Sequence, residues 1–248
     1  MEQITSMQNP LLQHVRKLLS VRSYREACRE FAAEGWKLLH EALQWQGQIT
    51  TVLLTNDAQC PPLPDSVRLV RLPQGLMDRL SPMKSPQGVI FVCKMPQEIQ
   101  PQLRAGMLLL DRIQDPGNLG TILRTADAFD IRVLLTNDCA DPYSEKTLRA
   151  SMGAIFRTPP QSLPWAQILA LCKEKQIPIA ATALSAQARD IRSVDLRQAL
   201  VVIGSEGQGI CKEILEQAQT HIIIPMQPRC ESLNAAAAAS IVLWQMRE

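Results

Sequence analysis

The chain has 248 residues, of which 46% are hydrophobic and 20% are charged, and its formal net charge is +2. This composition excludes disordered and collagen-like chains and allows one or two compact domains. The N-terminus lacks the charged, apolar and small-residue succession of a signal peptide, and no apolar run approaches the roughly 20 residues of a membrane span. We therefore expect a soluble, cytoplasmic protein.

The first part of the chain predicts a small α/β domain. Apolar residues recur at helical spacing over residues 10–20 and 24–45. Proline-rich and glycine-containing turns then separate three strand-like runs, at residues 51–54, 67–69 and 88–93. We predict a domain over residues 1–94 and a linker over residues 95–104. The core face of its helices would comprise Phe31, Trp36, Leu38, Leu39, Ala42 and Leu43.

Basic side chains are in surplus in this first part of the chain. Arg16, Lys17, Arg22, Arg25 and Arg29 punctuate a stretch with helical spacing. Such a row gives a modest electrostatic footprint for a phosphate backbone. On charge alone, an ordinary solvated helix face is an equal alternative.

The second part, residues 105–248, predicts strands that alternate with helices. This alternation is typical of a parallel sheet covered on both faces. The predicted strands are residues 107–110, 132–135, 179–183, 200–203 and 222–224. The predicted helices are residues 119–129, 144–151, 165–174 and 233–246. The closing helix contains five consecutive alanines, which would let another helix or a ligand approach its backbone closely.

The seven cysteines are scattered, with no CxxC pair and no clustered histidines. A zinc site and a secreted disulfide framework are therefore both poorly supported, and we expect reduced thiols and no metal. Cys230 adjoins Glu231 and Ser232 in a polar segment. We interpret it as a passive loop thiol rather than a nucleophile, because no histidine neighbours it in sequence.

Three separated blocks gather polar and small residues at strand ends, where α/β folds display their chemistry. In the first, residues 115–120 form a turn that feeds a helix carrying Arg124. The first-turn amides could hold an anion, and an arginine fork suits phosphate. A helix cap with a surface salt bridge is an equal alternative.

The second block, residues 204–209, follows a strand and contains three glycines around Glu206. It is neither a P-loop nor a GxGxxG sequence. A tight strand-to-helix turn is the alternative to a ligand loop. The third block, residues 224–234, places Glu231, Ser232 and Asn234 before the closing helix, with Ser232 or Asn234 as its N-cap.

Together the blocks resemble the three motifs of the SpoU, or TrmH-like, family of RNA ribose 2′-O-methyltransferases in the SPOUT superfamily. The motif order and spacing match the family. The N-terminal part is similar, at residues 33–42 and 85–89, to the L30e-like substrate-binding domain that many members carry. The matching motif residues are Asn118, Gly120, Ile122, Arg124 and Ala126, then Gly204, Glu206 and Gly209, then Ile224, Pro225, Met226, Glu231, Ser232, Leu233 and Asn234.

The resemblance implies an α/β fold whose C-terminal parallel-sheet domain forms a trefoil knot, an exception to the usual absence of knots. It also implies a homodimer through the closing helix, S-adenosylmethionine as cofactor, RNA as partner, and no metal. By motif position, the residues that contact the cofactor are Thr182, Ala183, Gly204, Gly209, Ile224, Met226 and Leu233.

The implied reaction is attack of a ribose 2′-hydroxyl on the sulfonium methyl group. In it, Arg124 positions the target phosphate and helps to activate the hydroxyl, with the arginine reaching the partner's cofactor site. Because a guanidinium stays protonated, we favour proton transfer assisted by the phosphate. The residues that orient the hydroxyl and the ribose are Asn118, Glu206, Ser232 and Asn234. The candidate RNA-binding residues are Arg16, Lys17, Arg22, Arg25 and Lys37.

The sequence departs from the family pattern at three places. Pro228 stands where glycine is usual, Asp130 replaces the glycine that commonly follows Phe129, and Ala235 and Ala236 replace the commoner valine and serine after Asn234. We favour ribosomal RNA as the substrate because the N-terminal part is similar to that of members acting there. A transfer RNA methyltransferase and a non-catalytic RNA-binding or assembly factor remain the alternatives. A Rossmann-type nucleotide-binding protein is disfavoured, because the early GxGxxG fingerprint is missing.

Overall fold

The computed structural model describes residues 2–97, 103–185, 187–205, 207–227, 229–230 and 232–247. The chain divides into two compact units. The first comprises Met1–Glu98 and Tyr143–Arg157, and the second comprises Ile99–Pro142 and Thr158–Glu248. The domain boundaries predicted at residues 94 and 105 stay a prediction. The predicted linker at 95–104 lies partly outside the described residues.

The first unit is built on a mixed sheet with the strand order β1-β4-β3-β5-β2. The first three strands of this order pair in parallel, and β5 pairs antiparallel with both of its neighbours. Its strands are β1 (Glu2–Gln3), β2 (Glu30–Glu34), β3 (Ile49–Thr55), β4 (Arg68–Leu72) and β5 (Val89–Lys94). The helices of this stretch are α1 (Pro10–Ser20), α2 (Arg22–Cys28), α3 (Trp36–Gln44) and α4 (Gln74–Leu80).

The single helix predicted over residues 24–45 is wrong, because strand β2 interrupts it. Arg29 ends α2 in the left-handed conformation at φ 54°, and Gly35 starts the turn into α3 at φ 115°. Between them, Phe31 pairs with Cys93 of β5, and four consecutive residues of β2 are buried. Tertiary pairing and burial here override a local helical pattern.

The five strands and four helices predicted over residues 105–248 are present, and the described part of that stretch adds two short strands, two short helices and a 3-10 helix. The strands are β6 (Met107–Asp111), β7 (Val133–Leu135), β8 (Gln161–Ser162), β9 (Ile179–Thr182), β10 (Arg189–Asp190), β11 (Leu200–Gly204) and β12 (Thr220–Ile223). The helices are α5 (Pro116–Ala128), α6 (Glu145–Ser151), α7 (Ala154–Arg157), α8 (Trp165–Glu174), α9 (Lys212–Gln217) and α10 (Ala235–Gln245), with a 3-10 helix at Ile191–Ser193. Helices α6 and α7 belong to the first unit.

The sheet of the second unit has the order β10-β12-β9-β11-β6-β7-β8, and its paired strands run parallel. This confirms the predicted α/β class with a parallel sheet. Helices α8 and α9 pack on it through Ile168, Cys172 and Ile214. Helix α10 contacts β11 and packs against α5. At one end of that helix pair, the rings of Phe129 and Trp244 meet edge to face at 5.8 Å.

Asp130, which stands where the family commonly has glycine, lies just beyond the end of α5. Asp130 follows α5 in the left-handed conformation at φ 56°. This is the backbone state that glycine adopts most easily at that position, and aspartate tolerates it better than most residues.

Candidate functional site

The carboxyl ends of the parallel strands β9, β11 and β12 open into a cavity of about 470 Å³ in the second unit. Its walls are largely apolar. They come from the ends of these strands, from the loops that follow them and from the first turns of α10. The apolar lining includes Ile203, Ile210, Leu215, Ile222, Ile223, Ile224, Met226 and Leu233.

All seven predicted cofactor residues line this cavity. They arrive from three separate segments, which the parallel sheet brings to one edge. Their role in cofactor binding stays a proposal. The seven are Thr182, Ala183, Gly204, Gly209, Ile224, Met226 and Leu233.

The glycine-rich block forms a loop that folds back on itself. Ser205 and Gly209 exchange backbone hydrogen bonds of 3.2 and 2.9 Å. A Cβ atom added at Gly204 would lie 2.2 Å from the carbonyl carbon of Gly209, so a side chain cannot be accommodated there. Gly209 itself has φ 64°. Glycine is therefore required at position 204 by close backbone approach and favoured at position 209 by the positive φ of the turn.

The loop is fastened by two residues that the sequence analysis missed, Asp111 and Arg112. The Asp111 carboxylate is only 2% exposed and accepts a hydrogen bond from the backbone N–H of Cys211 at 2.8 Å. The Arg112 guanidinium donates to Gln208 Oε1 at 2.9 Å and to the carbonyl oxygen of Gly209 at 3.3 Å. Both residues directly follow a predicted buried strand. This position at the carboxyl end of a strand is the feature of the sequence that could have identified them.

The start of α5 favours a helix cap over an anion site, the two alternatives that the sequence left equal. Asp115 is the N-cap, and its Oδ1 accepts from the backbone N–H of Asn118 at 2.8 Å. Pro116 has no N–H to offer. A carboxylate therefore already occupies the helix start, where its charge disfavours a bound anion. The helix-cap alternative is the correct one for this turn.

Asn118 and Asn234 join the first and third blocks. Asn234 Nδ2 donates to Asn118 Oδ1 at 3.0 Å. Asn234 is also the N-cap of α10, because its Oδ1 accepts from the N–H groups of Ala236 and Ala237 at 2.9 and 3.2 Å. Of the two predicted caps, the structure thus selects Asn234. Ser232 is exposed and lines the cavity.

Arg124 lies on the exposed side of α5 and does not line the cavity. Among the described residues, its guanidinium has no hydrogen-bonding or ion-pair partner. The structure therefore brings Asn118, Asn234 and Ser232 close to the cavity and leaves Arg124 apart within one chain. Glu206, Glu231 and Pro228 lie outside the described residues.

The five candidate RNA-binding residues of the first unit are in different environments. Arg16 and Lys37 are exposed, and Lys17 lies 5.2 Å from the ring centre of Tyr24. Arg22 forms an exposed ion pair with Glu26. Arg25 differs from the expectation of a surface cation. It is 4% exposed, and its Nη1 donates to the carbonyl oxygen of Leu18 at the end of α1.

The cysteines are all free. Burial raises the pKa of Cys172 to about 11 and that of Cys211 above its usual range. In the described part of the chain, no group of three or more His, Cys, Asp or Glu side chains is placed to hold a metal ion. No helix there is long and apolar enough to cross a membrane.

Residues 106–244 match the SpoU rRNA Methylase family, and residues 9–90 match the MRM3-like substrate binding domain. The chain belongs to the SpoU rRNA methylase family. It is accordingly a methyltransferase of the SpoU/TrmH type, and the resemblance found in the motifs is confirmed. The match to the substrate-binding domain begins just before α1 and ends within β5.

Similar proteins extend over nearly the whole chain. The 23S rRNA (guanosine(2553)-2′-O)-methyltransferase RlmP of Bacillus subtilis is 30% identical over 249 residues, covering 100% of both chains. The human mitochondrial rRNA methyltransferase 3 is 28% identical, covering 94% of this chain and 71% of its own. The AdoMet-bound rRNA methyltransferase of Sinorhizobium meliloti superimposes with a TM-score of 0.86 at 28% identity, covering 99% and 97%.

Proposed function

We propose that this chain transfers a methyl group from S-adenosylmethionine to the 2′-hydroxyl of a ribose in structured RNA, with ribosomal RNA as the favoured substrate. The observation that carries the proposal is the cavity at the strand ends, lined by all seven residues that motif position had assigned to the cofactor. Family membership and the rRNA methyltransferases among the relatives support it.

The cavity suits S-adenosylmethionine in size and chemistry. Its volume of about 470 Å³ lies within the range of small-molecule sites. The apolar walls suit an adenine ring, and the polar lining consists of backbone groups and neutral side chains together with His221. No aspartate, glutamate, lysine or arginine is among its described lining residues. When bound, S-adenosylmethionine supplies an electrophilic methyl group.

Arg124 is proposed to hold the phosphate next to the target ribose. Its guanidinium is permanently charged and has no partner among the described residues, so it is available for a bidentate contact with a phosphodiester. The same permanent charge rules it out as a free general base. The hydroxyl proton is proposed to leave with help from the phosphate that Arg124 holds.

The Asn118–Asn234 pair is proposed to place the ribose. The Oδ1 of Asn234 is already engaged by the first turn of α10, and one of its Nδ2 hydrogens by Asn118. Asn234 therefore acts mainly by orienting Asn118, whereas Ser232 offers a hydroxyl at the cavity itself. Glu206 is proposed to contribute from the glycine-rich loop.

The functional state is proposed to be a cytoplasmic homodimer formed through α10, with a trefoil knot in each catalytic domain. On α10, Ile241 is 41% exposed and Trp244 is 56% exposed. Exposed apolar surface of this kind often marks a protein–protein interface. A dimer would also let Arg124, which lies apart from its own cavity, serve the cavity of the partner.

The test is transfer of label from methyl-labelled S-adenosylmethionine to unmodified ribosomal and transfer RNA, kept as separate fractions. Alkali-stable label in ribosomal RNA supports the proposal, because a 2′-O-methyl group blocks alkaline cleavage at that ribose. Arg124→Ala should abolish transfer, while Arg132→Ala, which removes another exposed arginine of the same unit, should not.

Label in transfer RNA alone would select the second substrate class. Transfer to neither RNA, by a folded protein that binds RNA, would favour the non-catalytic factor.

A further inference from the structure

A second concave site lies on the first unit, beside α3. Trp36, His40, Gln59, Cys60 and Pro61 enclose a groove of about 360 Å³, which we call the Trp36 groove. Trp36 and His40 are four residues apart in α3 and therefore share one face of the helix. The proposed methyl transfer uses none of these side chains.

The indole of Trp36 is held in a fixed orientation. Its Nε1–H donates to the carbonyl oxygen of Gln87 at 2.8 Å, and its backbone N–H donates to Gln87 Oε1 at 3.3 Å. The backbone N–H of Gln87 in turn donates to the buried carboxyl group of Glu34 at 3.2 Å. The polar Nε1–H of the indole is thus already engaged, so a ligand in the groove would meet the apolar carbon atoms of the ring.

We propose that the Trp36 groove is a subsite for an unpaired nucleobase of the RNA substrate, which stacks on the indole of Trp36. The inference rests on the proposed function, because it names a second contact for the same RNA. It also gives the substrate-binding domain a defined point of contact. Protein recognition of RNA commonly uses aromatic side chains on which splayed bases stack.

The chemistry around the indole fits a nucleobase. His40 and Gln59 are exposed, and an imidazole and a carboxamide can each donate and accept hydrogen bonds at the edge of a base. None of the five lining residues is acidic. Lys37, next to Trp36 in α3, is exposed and adds a cation for a flanking phosphate. A fixed ring needs little ordering when the base binds.

The competing explanation is that Trp36 only ties the start of α3 to Gln87. Two substitutions separate the explanations. Trp36→Phe keeps an aromatic face and loses the Nε1–H bond, whereas Trp36→Leu loses both. Trp45→Leu is the matched control, because Trp45 follows the same helix, is 49% exposed and lies outside the groove.

The measurement is the affinity of each full-length variant for unmodified large-subunit ribosomal RNA transcribed in vitro, with a fully paired RNA duplex as the second probe. Trp36→Leu and His40→Ala should weaken binding of the transcript roughly fivefold to hundredfold. Trp36→Phe should lose clearly less affinity than Trp36→Leu, although both variants lose the Nε1–H bond to Gln87 and should melt at similar temperatures. Trp45→Leu should bind normally, and affinity for the duplex should be unchanged throughout.

A direct readout accompanies these affinities. Transcript containing iodouridine should photocrosslink to the peptide that carries Trp36. Equal RNA affinity of Trp36→Leu and wild type, or equal losses in Trp36→Phe and Trp36→Leu, would overturn the subsite. If wild type still transfers methyl groups in that case, the proposed function stands. If the wild-type protein transfers no methyl group to RNA, it is the proposed function itself that fails.

Discussion

Arg112 and Gln208 join two segments that lie almost a hundred residues apart in the chain. Arg112 Nη1 donates to Gln208 Oε1 at 2.9 Å, and Nη2 donates to the carbonyl oxygen of the adjacent Gly209. Arg112 itself stands at φ 57°, directly after strand β6. A residue in the left-handed conformation thus aims its side chain at the loop that walls the cavity.

Removing this side chain should loosen the loop and weaken cofactor binding. Arg112→Gly deletes the fork without straining a positive φ, and we expect the Kd for S-adenosylmethionine to rise about fivefold, the equivalent of about 1 kcal/mol for one net hydrogen bond. Arg112→Ala should bind as weakly but unfold with about 1 kcal/mol less stability than Arg112→Gly, because alanine is strained at φ 57°. Calorimetric titration measures the Kd for S-adenosylmethionine, and denaturant unfolding measures the stability of each variant. Wild-type affinity in Arg112→Gly would contradict this role.

Gly204 and Gly207 form a matched pair within the same loop. In Gly204→Ala the new Cβ would meet backbone atoms of Gly209 and Ile210 within 2.4 Å, a clash that no side-chain movement relieves. We expect loss of S-adenosylmethionine binding with a clear fall in melting temperature. Gly207→Ala should keep the wild-type melting temperature, because nothing lies within 4 Å of its Cβ position, although Gly207 also lines the cavity. The measurements are titration of both variants with S-adenosylmethionine and their melting temperatures. Normal binding by Gly204→Ala would contradict the close approach of Gly204 to the backbone of Gly209.

Asn234 caps α10 and is also proposed to position Asn118, and two substitutions separate these roles. Asn234→Asp keeps an acceptor for the N–H groups of Ala236 and Ala237 but loses the donor to Asn118. We expect near-normal stability and a kcat at least tenfold lower. Asn234→Ala should lose the same activity and also about 1 kcal/mol of stability, the usual value of an N-cap. Single-turnover methyl transfer and urea unfolding are the measurements. An active Asn234→Asp would show that the pair does not serve catalysis.

Glu34 makes the stability of the first unit depend on pH. Burial raises the pKa of its carboxyl group above 4.5, and Glu145 acts in the same direction, while the Ser81 hydroxyl and Arg149 oppose the shift. A raised pKa means that ionisation is less favourable in the folded state, so this group contributes less stability as pH rises through its folded pKa. Glutamine does not titrate. The stability of Glu34→Gln relative to wild type should therefore increase from pH 4 towards pH 7.

Urea midpoints measured across that range test the Glu34 prediction. Glu34→Asp is a suitable comparison, because it keeps a titrating carboxyl group on a shorter side chain. A difference between Glu34→Gln and wild type that stays constant with pH would show that Glu34 is not the group responsible.

Sequence periodicity predicted the helices and strands of the second unit better than those of the first. In the second unit, periodicity located the principal strands and helices, because buried parallel strands leave continuous apolar runs. In the first unit the same reasoning merged α2, β2 and α3 into one helix. Strand β2 is only five residues long, and its three consecutive apolar residues, Phe31 to Ala33, do not alternate with polar ones. Only its pairing with β5 therefore distinguishes it from a helical segment.

The sequence by itself determined the α/β class, the family and seven of the residues that line the cavity, because each motif at the end of a parallel strand is formed by neighbours in the chain. Tertiary structure decided what depends on distant segments. It gave Arg25 a carbonyl partner instead of an exposed position, made Asn234 the partner of Asn118, and set Arg112 against Gln208. Hydrogen bonds and burial are properties of residues that meet in space, and no local pattern specifies which residues those are.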